Sequence, residues 1–122
     1  MTTERQLALV HNYTETEGDT FADDLVFSDA AGDAIDLAGI TGATFVVAPT
    51  YDATAAAVWS ATQAGGEITI PTPANGTVLI RKSLAGLEPG GYVYTYSHTV
   101  GGVLQSFLRG RFEVRAKAGP TP

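Results

Sequence analysis

The chain has 122 residues, is 44% hydrophobic and carries a formal net charge of −6, with a pI near 4.6. That is enough apolar material for one domain with its own core. The acidity argues against non-specific nucleic-acid binding, which needs a basic footprint. No window approaches the run of roughly 18 apolar residues that a membrane span requires, and without cysteine there is no disulfide framework or thiolate zinc site.

Residues 1–18 read as an N-terminal arm or first strand, residues 19–115 as a β-sandwich, and residues 116–122, "AKAGPTP", as a tail. The apolar run Leu7 to Val10 is too short for a secretory core, so synthesis in a cytoplasm is expected. Gln6 to Tyr13 is apolar enough for a strand. The expectation for Met1 to Glu17 and Ala116 to Pro122 is contact with neighbouring subunits rather than with the domain's own core, as docking ends often make.

Thr20 to Ser28 places Phe21, Leu25 and Phe27 on one face by period two. "DAAGD" (Asp29 to Asp33) is a turn in which Asp29 can accept backbone hydrogen bonds. Ile35 and Leu37 then point inward, before a glycine-marked bend. Ala43 to Ala48 is a buried strand stopped by Pro49, which cannot donate to a ladder. Ala55 to Ala61, with Trp59, reads as a strand between turn-rich flanks. Ile68 to Ile70 and Thr77 to Lys82 are strands separated by a tight turn at Asn75-Gly76. Ser83 to Leu87 forms a single turn. Tyr92 to Val100 and Val103 to Arg115 flank Gly101-Gly102 as a two-residue hairpin. Short strands at this spacing, with little helix, predict an all-β fold: a single immunoglobulin-like antiparallel β-sandwich with a Greek-key connection.

Leu87, Pro89, Gly90 and Tyr92 stand at the spacing of a tyrosine corner, in which a tyrosine near a strand start returns its hydroxyl to the crossover backbone. Tyr92, Tyr94 and Tyr96 share a face, opposite Val93, Thr95 and Ser97. The tyrosine face is read as core, because a buried ring can still give its hydroxyl a partner. Trp59 is read the same way. An exposed aromatic strip would instead suit a carbohydrate- or receptor-binding module.

Charge is unevenly spread. Ten of the thirteen acids fall before residue 61, with Arg5 as the lone base there; six of the seven bases follow, with three acids. Either strands from the two halves interleave and mix the charges, or the molecule has two electrically different ends suited to stacking. Strict alternation along Val103 to Arg115 assigns Leu104, Leu108, Phe112 and Val114 to the core. Phe107, Arg109, Arg111 and Arg115 then face outward. That set is either a solvated strand paired with neighbouring acids or a protein interface, where arginine and aromatics are enriched.

No catalytic constellation stands out. His11 and His98 are the two histidines, and no nucleophile motif accompanies them. The acids from Asp19 to Asp36 do not follow a calcium-loop spacing. Neither "AGGE" nor "EPGG" is followed by the lysine and helix of a phosphate cradle. The expectation is no catalytic, cofactor or metal residues.

The order of pieces resembles a family of tailed-phage and prophage structural proteins that carry an immunoglobulin-like domain. The resemblance rests on "DTFADDLVFSDAAGDAIDLAG" (Asp19 to Gly39), "GATFVV" (Gly42 to Val47), "GGEITI" (Gly65 to Ile70), "ANGTVLI" (Ala74 to Ile80), "LEPGGYVYTY" (Leu87 to Tyr96) and "FLRGRFEV" (Phe107 to Val114). It spans about five-sixths of the chain, through the order of motifs rather than any one of them. The domain looks like the N-terminal domain of siphophage baseplate upper proteins and small tail or fibre-adaptor proteins. The resemblance implies a virion protein made in the bacterial host cytoplasm, without enzymatic activity. Its implied partners are other virion proteins and copies of itself, with no small-molecule substrate, nucleic acid or membrane.

Overall fold

A computed structural model describes residues 9–51 and 56–117. In chain order the strands are β1 (Leu9–Val10), β2 (Tyr13–Thr16), β3 (Thr20–Val26), β4 (Thr41–Ala48), β5 (Trp59–Thr62), β6 (Ile68–Thr69), β7 (Thr77–Ser83), β8 (Gly90–Val100) and β9 (Val103–Arg115). One sheet runs β1-β9-β8-β4-β5, with β2 also on β9; the other runs β3-β7-β6. The chain changes sheet between β2 and β3, β3 and β4, β5 and β6, and β7 and β8. Two packed sheets with these Greek-key crossovers make an immunoglobulin-like β-sandwich.

Period-two patterning builds the core. Phe21 and Leu25 of β3, Phe45 and Val47 of β4, Trp59 and Ala61 of β5, Val78 and Ile80 of β7, Tyr94 and Tyr96 of β8, and Phe112 and Val114 of β9 are buried. Phe45 and Tyr94 stack at 4.7 Å between centroids, and Phe21 meets Phe112 edge-on at 5.2 Å. Buried polar tips find partners: Trp59 Nε1 donates to the Ser83 carbonyl at 2.9 Å, and the Tyr94 hydroxyl donates to that of His11 at 2.6 Å. The tyrosine stripe therefore lies inside, with Tyr92 half-buried at its end. The Tyr92 hydroxyl donates to the Glu88 carbonyl at 2.7 Å, closing the Leu87–Tyr92 corner.

The turns follow their residues. Asp29 Oδ1 accepts from the amides of Ala31 and Asp33, and Asp36 Oδ1 from that of Ala38. Val100 faces Val103 across Gly101-Gly102, both with positive φ, as a two-residue hairpin demands. Asn75-Gly76 differs from expectation: Pro73–Asn75 forms one 3₁₀ turn, which Gly76 ends at φ 68°. A Cβ at Gly76 would lie 2.4 Å from the Phe27 carbonyl oxygen, so the turn is packed tightly onto the end of β3.

Three expectations need correction. First, the segment before residue 18 is part of the fold wherever it is described. β2 pairs with β9, Tyr13 is buried, and its hydroxyl donates to the Asp23 carboxylate of the opposite sheet. These pairs are parallel, so the sandwich is not purely antiparallel. Residues 1–8 and 118–122 lie outside the described residues.

Second, β9 does not alternate strictly. Tyr96 pairs with Leu108 but Ser97 pairs with Ser106, leaving Phe107 as the extra residue of a bulge. The bulge turns Phe107 onto the core, 4.2 Å from the His98 ring and 5.5 Å from that of Phe27. Leu104, assigned inward, is 66% exposed, because the second sheet does not extend over this end of the hairpin. Third, Ala56 to Val58 lie outside any strand; the strand begins at Trp59.

Candidate interface

β9 beyond the bulge carries the arginines. Arg109 stands beside Thr95 and Arg111 beside Val93 on β8, and all three arginines, with Arg115, are exposed. Among the described residues Arg81 pairs with Asp24 at 2.7 Å, Lys82 with Glu67 at 3.3 Å and Arg115 with Glu113 at 3.6 Å. No described acid pairs with Arg109 or Arg111. Both readings of the uneven charge therefore have a place. On the three-stranded sheet, Arg81 of the later half neutralises Asp24 of the earlier half. On the six-stranded sheet, no ion pair joins Arg109 or Arg111 to an acid among the described residues.

Tyr51, from the segment after β4, shapes this face. Its hydroxyl donates to the Gly110 carbonyl at 2.8 Å, and the Arg109 guanidinium lies 5.6 Å from its ring centroid. Such a contact with a half-exposed ring contributes about 0.5–1 kcal/mol and holds the arginine against the sheet. The Gly110 backbone is pinned from the other side as well. The first strand kinks over it at His11-Asn12, where Asn12 Oδ1 accepts from the Arg111 amide at 2.9 Å and His11 N donates to the Arg109 carbonyl at 3.0 Å. A Cβ on Gly110 would lie 2.1 Å from the His11 carbonyl oxygen, so the crossing requires glycine. The arginines thus stand on a strand held on both sides by hydrogen bonds.

Arg111 and Arg115 also border a shallow hollow of about 650 Å³ with Pro49, Gly90, Tyr92 and Val93. The residues singled out by sequence are therefore divided. Arg111 and Arg115 meet at this hollow, Arg109 lies against Tyr51, and Phe107 belongs elsewhere. Tyr51 and Pro49 were missed: nothing in "APTY" beyond the proline stop signals that a tyrosine returns across the sheet to β9.

Phe107 lines a second groove, of about 490 Å³, between β3 and the first strands, together with His11, Tyr13, Leu25, Phe27 and Leu108. Here burial pushes the Tyr13 hydroxyl pKa up, and the hydrogen bond to Asp23 adds to the shift. Glu15 is raised by burial and by the charges of Asp23 and Asp19 across the gap. His98 lies deeper, 2% exposed, with Nδ1 2.9 Å from the Tyr96 hydroxyl. Burial pushes its pKa down to about 4, so it is neutral near neutral pH. Among the described residues no three His, Asp or Glu side chains gather in a way that could hold a metal ion.

No family model matches the chain, and no curated protein does. Solved structures of similar outline are murine CRIg (TM-score 0.40, 10% identity, covering 88% of this chain and 92% of that one) and the NK cell receptor NKp44 (0.41, 12%, 88% and 98%). A third is a VGSC beta-subunit structure (0.38, 13%, 95% and 98%). At these scores and identities the likenesses say nothing about function.

Proposed function

We propose that the chain is a non-enzymatic structural protein of a tailed-phage virion, a tail, baseplate, fibre-adaptor or shell-decorating subunit working through protein–protein contacts. The observation that carries the contact reading is the pair Arg109 and Arg111: exposed, held on a pinned strand and without a described acidic partner. Arginine in such a setting suits recognition of carboxylates. The virion assignment rests on the ordered motifs from Asp19 to Val114. Its partners on this reading are acidic surfaces of other virion proteins or of further copies. The carbohydrate-binding alternative is weaker, because Trp59, Tyr94 and Tyr96, its best candidate platforms, are buried.

The test is to add gold-labelled protein to purified tailed particles lacking their own copy and image them in negative stain. Label recurring at one symmetric position on the particle is the expected result. Random label, or none, would reject the virion assignment.

A further inference from the structure

The two outer faces of the sandwich differ in charge. On the three-stranded sheet the outward positions of β3 and β7 include Asp24 and Arg81, joined as an ion pair. On the six-stranded sheet β5, β4 and β8 set two rows side by side: Thr62, Thr44 and Ser97, then Ser60, Val46 and Thr95. Ala48 beside Val93 begins the next row. All eight residues are partly exposed, and none is charged or larger than valine. Charge begins only where the rows reach β9, with Arg109 beside Thr95 and Arg111 beside Val93. At the end of the face Tyr51 and Val58 are 51% and 47% exposed.

Five of these eight residues are serine or threonine. A hydroxyl both donates and accepts, and Thr44 Oγ1 and Ser97 Oγ already lie 3.2 Å apart. A face of such groups is complementary to itself, which is what a two-fold interface demands. Arginine or aspartate in the rows would instead oppose its own charge. A chain of net charge −6 meets a second copy here without bringing like charges together. We propose that the β5-β4-β8 face packs on the same face of a second copy, sheet on sheet, about 10 Å apart. This contact is separate from the one made by Arg109 and Arg111, but the arginines set its direction. A two-fold axis across the strands would set Arg109 against its own counterpart. An axis along the strands, between β4 and β8, sets it over Ser60 at the β5 margin. At about 4.8 Å between strands and 6.8 Å per two residues, the eight positions cover roughly 300 Å². A standard interface buries about 800 Å² per partner, so the pairing is weak in dilute solution and strengthens where copies are held side by side.

The chain has no cysteine, so single thiols report the contact. Thr95→Cys lies near the proposed axis, Ser60→Cys on the margin of the same face, and Ala22→Cys on the opposite outer face. Each full-length variant would be treated, at high protein concentration, with a bis-maleimide spanning about the 10 Å between packed sheets. High salt throughout screens the arginine contact, so the two proposals stand or fall separately. The expected result is severalfold more covalent dimer for Thr95→Cys than for either other variant, falling to their level when Val46→Lys is added. Equal yields in all three, or a Thr95→Cys dimer unaffected by Val46→Lys, would overturn the proposal. So would a dimer formed mostly by Ser60→Cys, which marks an axis across the strands. Thr95→Cys linking to a protein of added tailed particles rather than to itself would overturn it as well.

Discussion

The two halves of β9 contain similar amounts of apolar residue but behave differently. From Gly110 to Val114 burial alternates residue by residue, because β3 and β7 lie opposite and β2 and β8 lie on either side. From Val103 to Ser106 every residue is exposed, although Val103 and Leu104 are as apolar as Val114. Alternation produces an inside only where a second layer faces it. Beyond the sandwich the same letters make a hairpin whose residues are exposed on both faces. The bulge at Phe107 joins the two regimes, and there His98 and Phe27 receive the ring that strict alternation would have sent outward.

The sharpest way to separate the halves is truncation. Phe112→Ala, which removes a ring packed against Phe21, Phe45, Trp59 and Tyr13, should cost about 3–5 kcal/mol. Leu104→Ala should stay within about 0.5 kcal/mol. Urea unfolding of both variants checks the contrast, and equal losses would mean that the hairpin end is packed after all. Gly110→Ala comes next. Its Cβ must displace the His11 backbone, an overpacking cost of about 1–3 kcal/mol, whereas Ser106→Ala on the open half should be near neutral. Thermal unfolding distinguishes them.

At the join, His98 makes the contrast pH-dependent. Its folded pKa is about 4, against 6.5 for the free side chain. Between those values the unfolded chain takes up the extra proton, so the His98 contribution is complete above pH 6.5 and is lost as pH falls towards 4. The loss should be on the order of 3 kcal/mol. The groups facing the ring are the Tyr96 hydroxyl and the Phe27 and Phe107 rings, none of which offsets a positive charge with a full negative one. Unfolding free energies of wild type and His98→Gln at pH 7, 5.5 and 4 should diverge by that amount, and parallel curves would refute it. The smallest effect expected is at the corner: Tyr92→Phe loses the bond to Glu88 and about 1 kcal/mol, measurable by the same unfolding experiment.

Much of this was legible in the sequence, because turn chemistry and period two act locally. Gly101-Gly102, the Pro49 stop, the Asp29 turn and the inward tyrosines of β8 each follow from a few adjacent residues. What was not legible depends on distant partners. Tyr13 enters the core because β2 finds β9, about a hundred residues away, and Asp23 on the inward parity of β3 is tolerable because the Tyr13 hydroxyl meets it. The Phe107 bulge is set by how β8 and β9 share one extra residue, for which "QSFL" carries no local sign. Of the candidate interface, the arginines were visible as letters. That Arg109 rests on the Tyr51 ring and Arg111 borders the hollow with Pro49 and Tyr92 required the register.

If mid-β9 makes a salt-sensitive protein contact, as proposed, charge reversal on it should remove that contact. Sedimentation of wild type and of the Arg109→Glu, Arg111→Glu double variant would be compared at low and high salt, alone and mixed with tailed particles. At low salt the wild type should self-associate or travel with particles. High salt and the double variant should both abolish this, with thermal unfolding of the variant unchanged. The same species for both proteins under every condition would contradict the claim and leave the two arginines as ordinary surface residues.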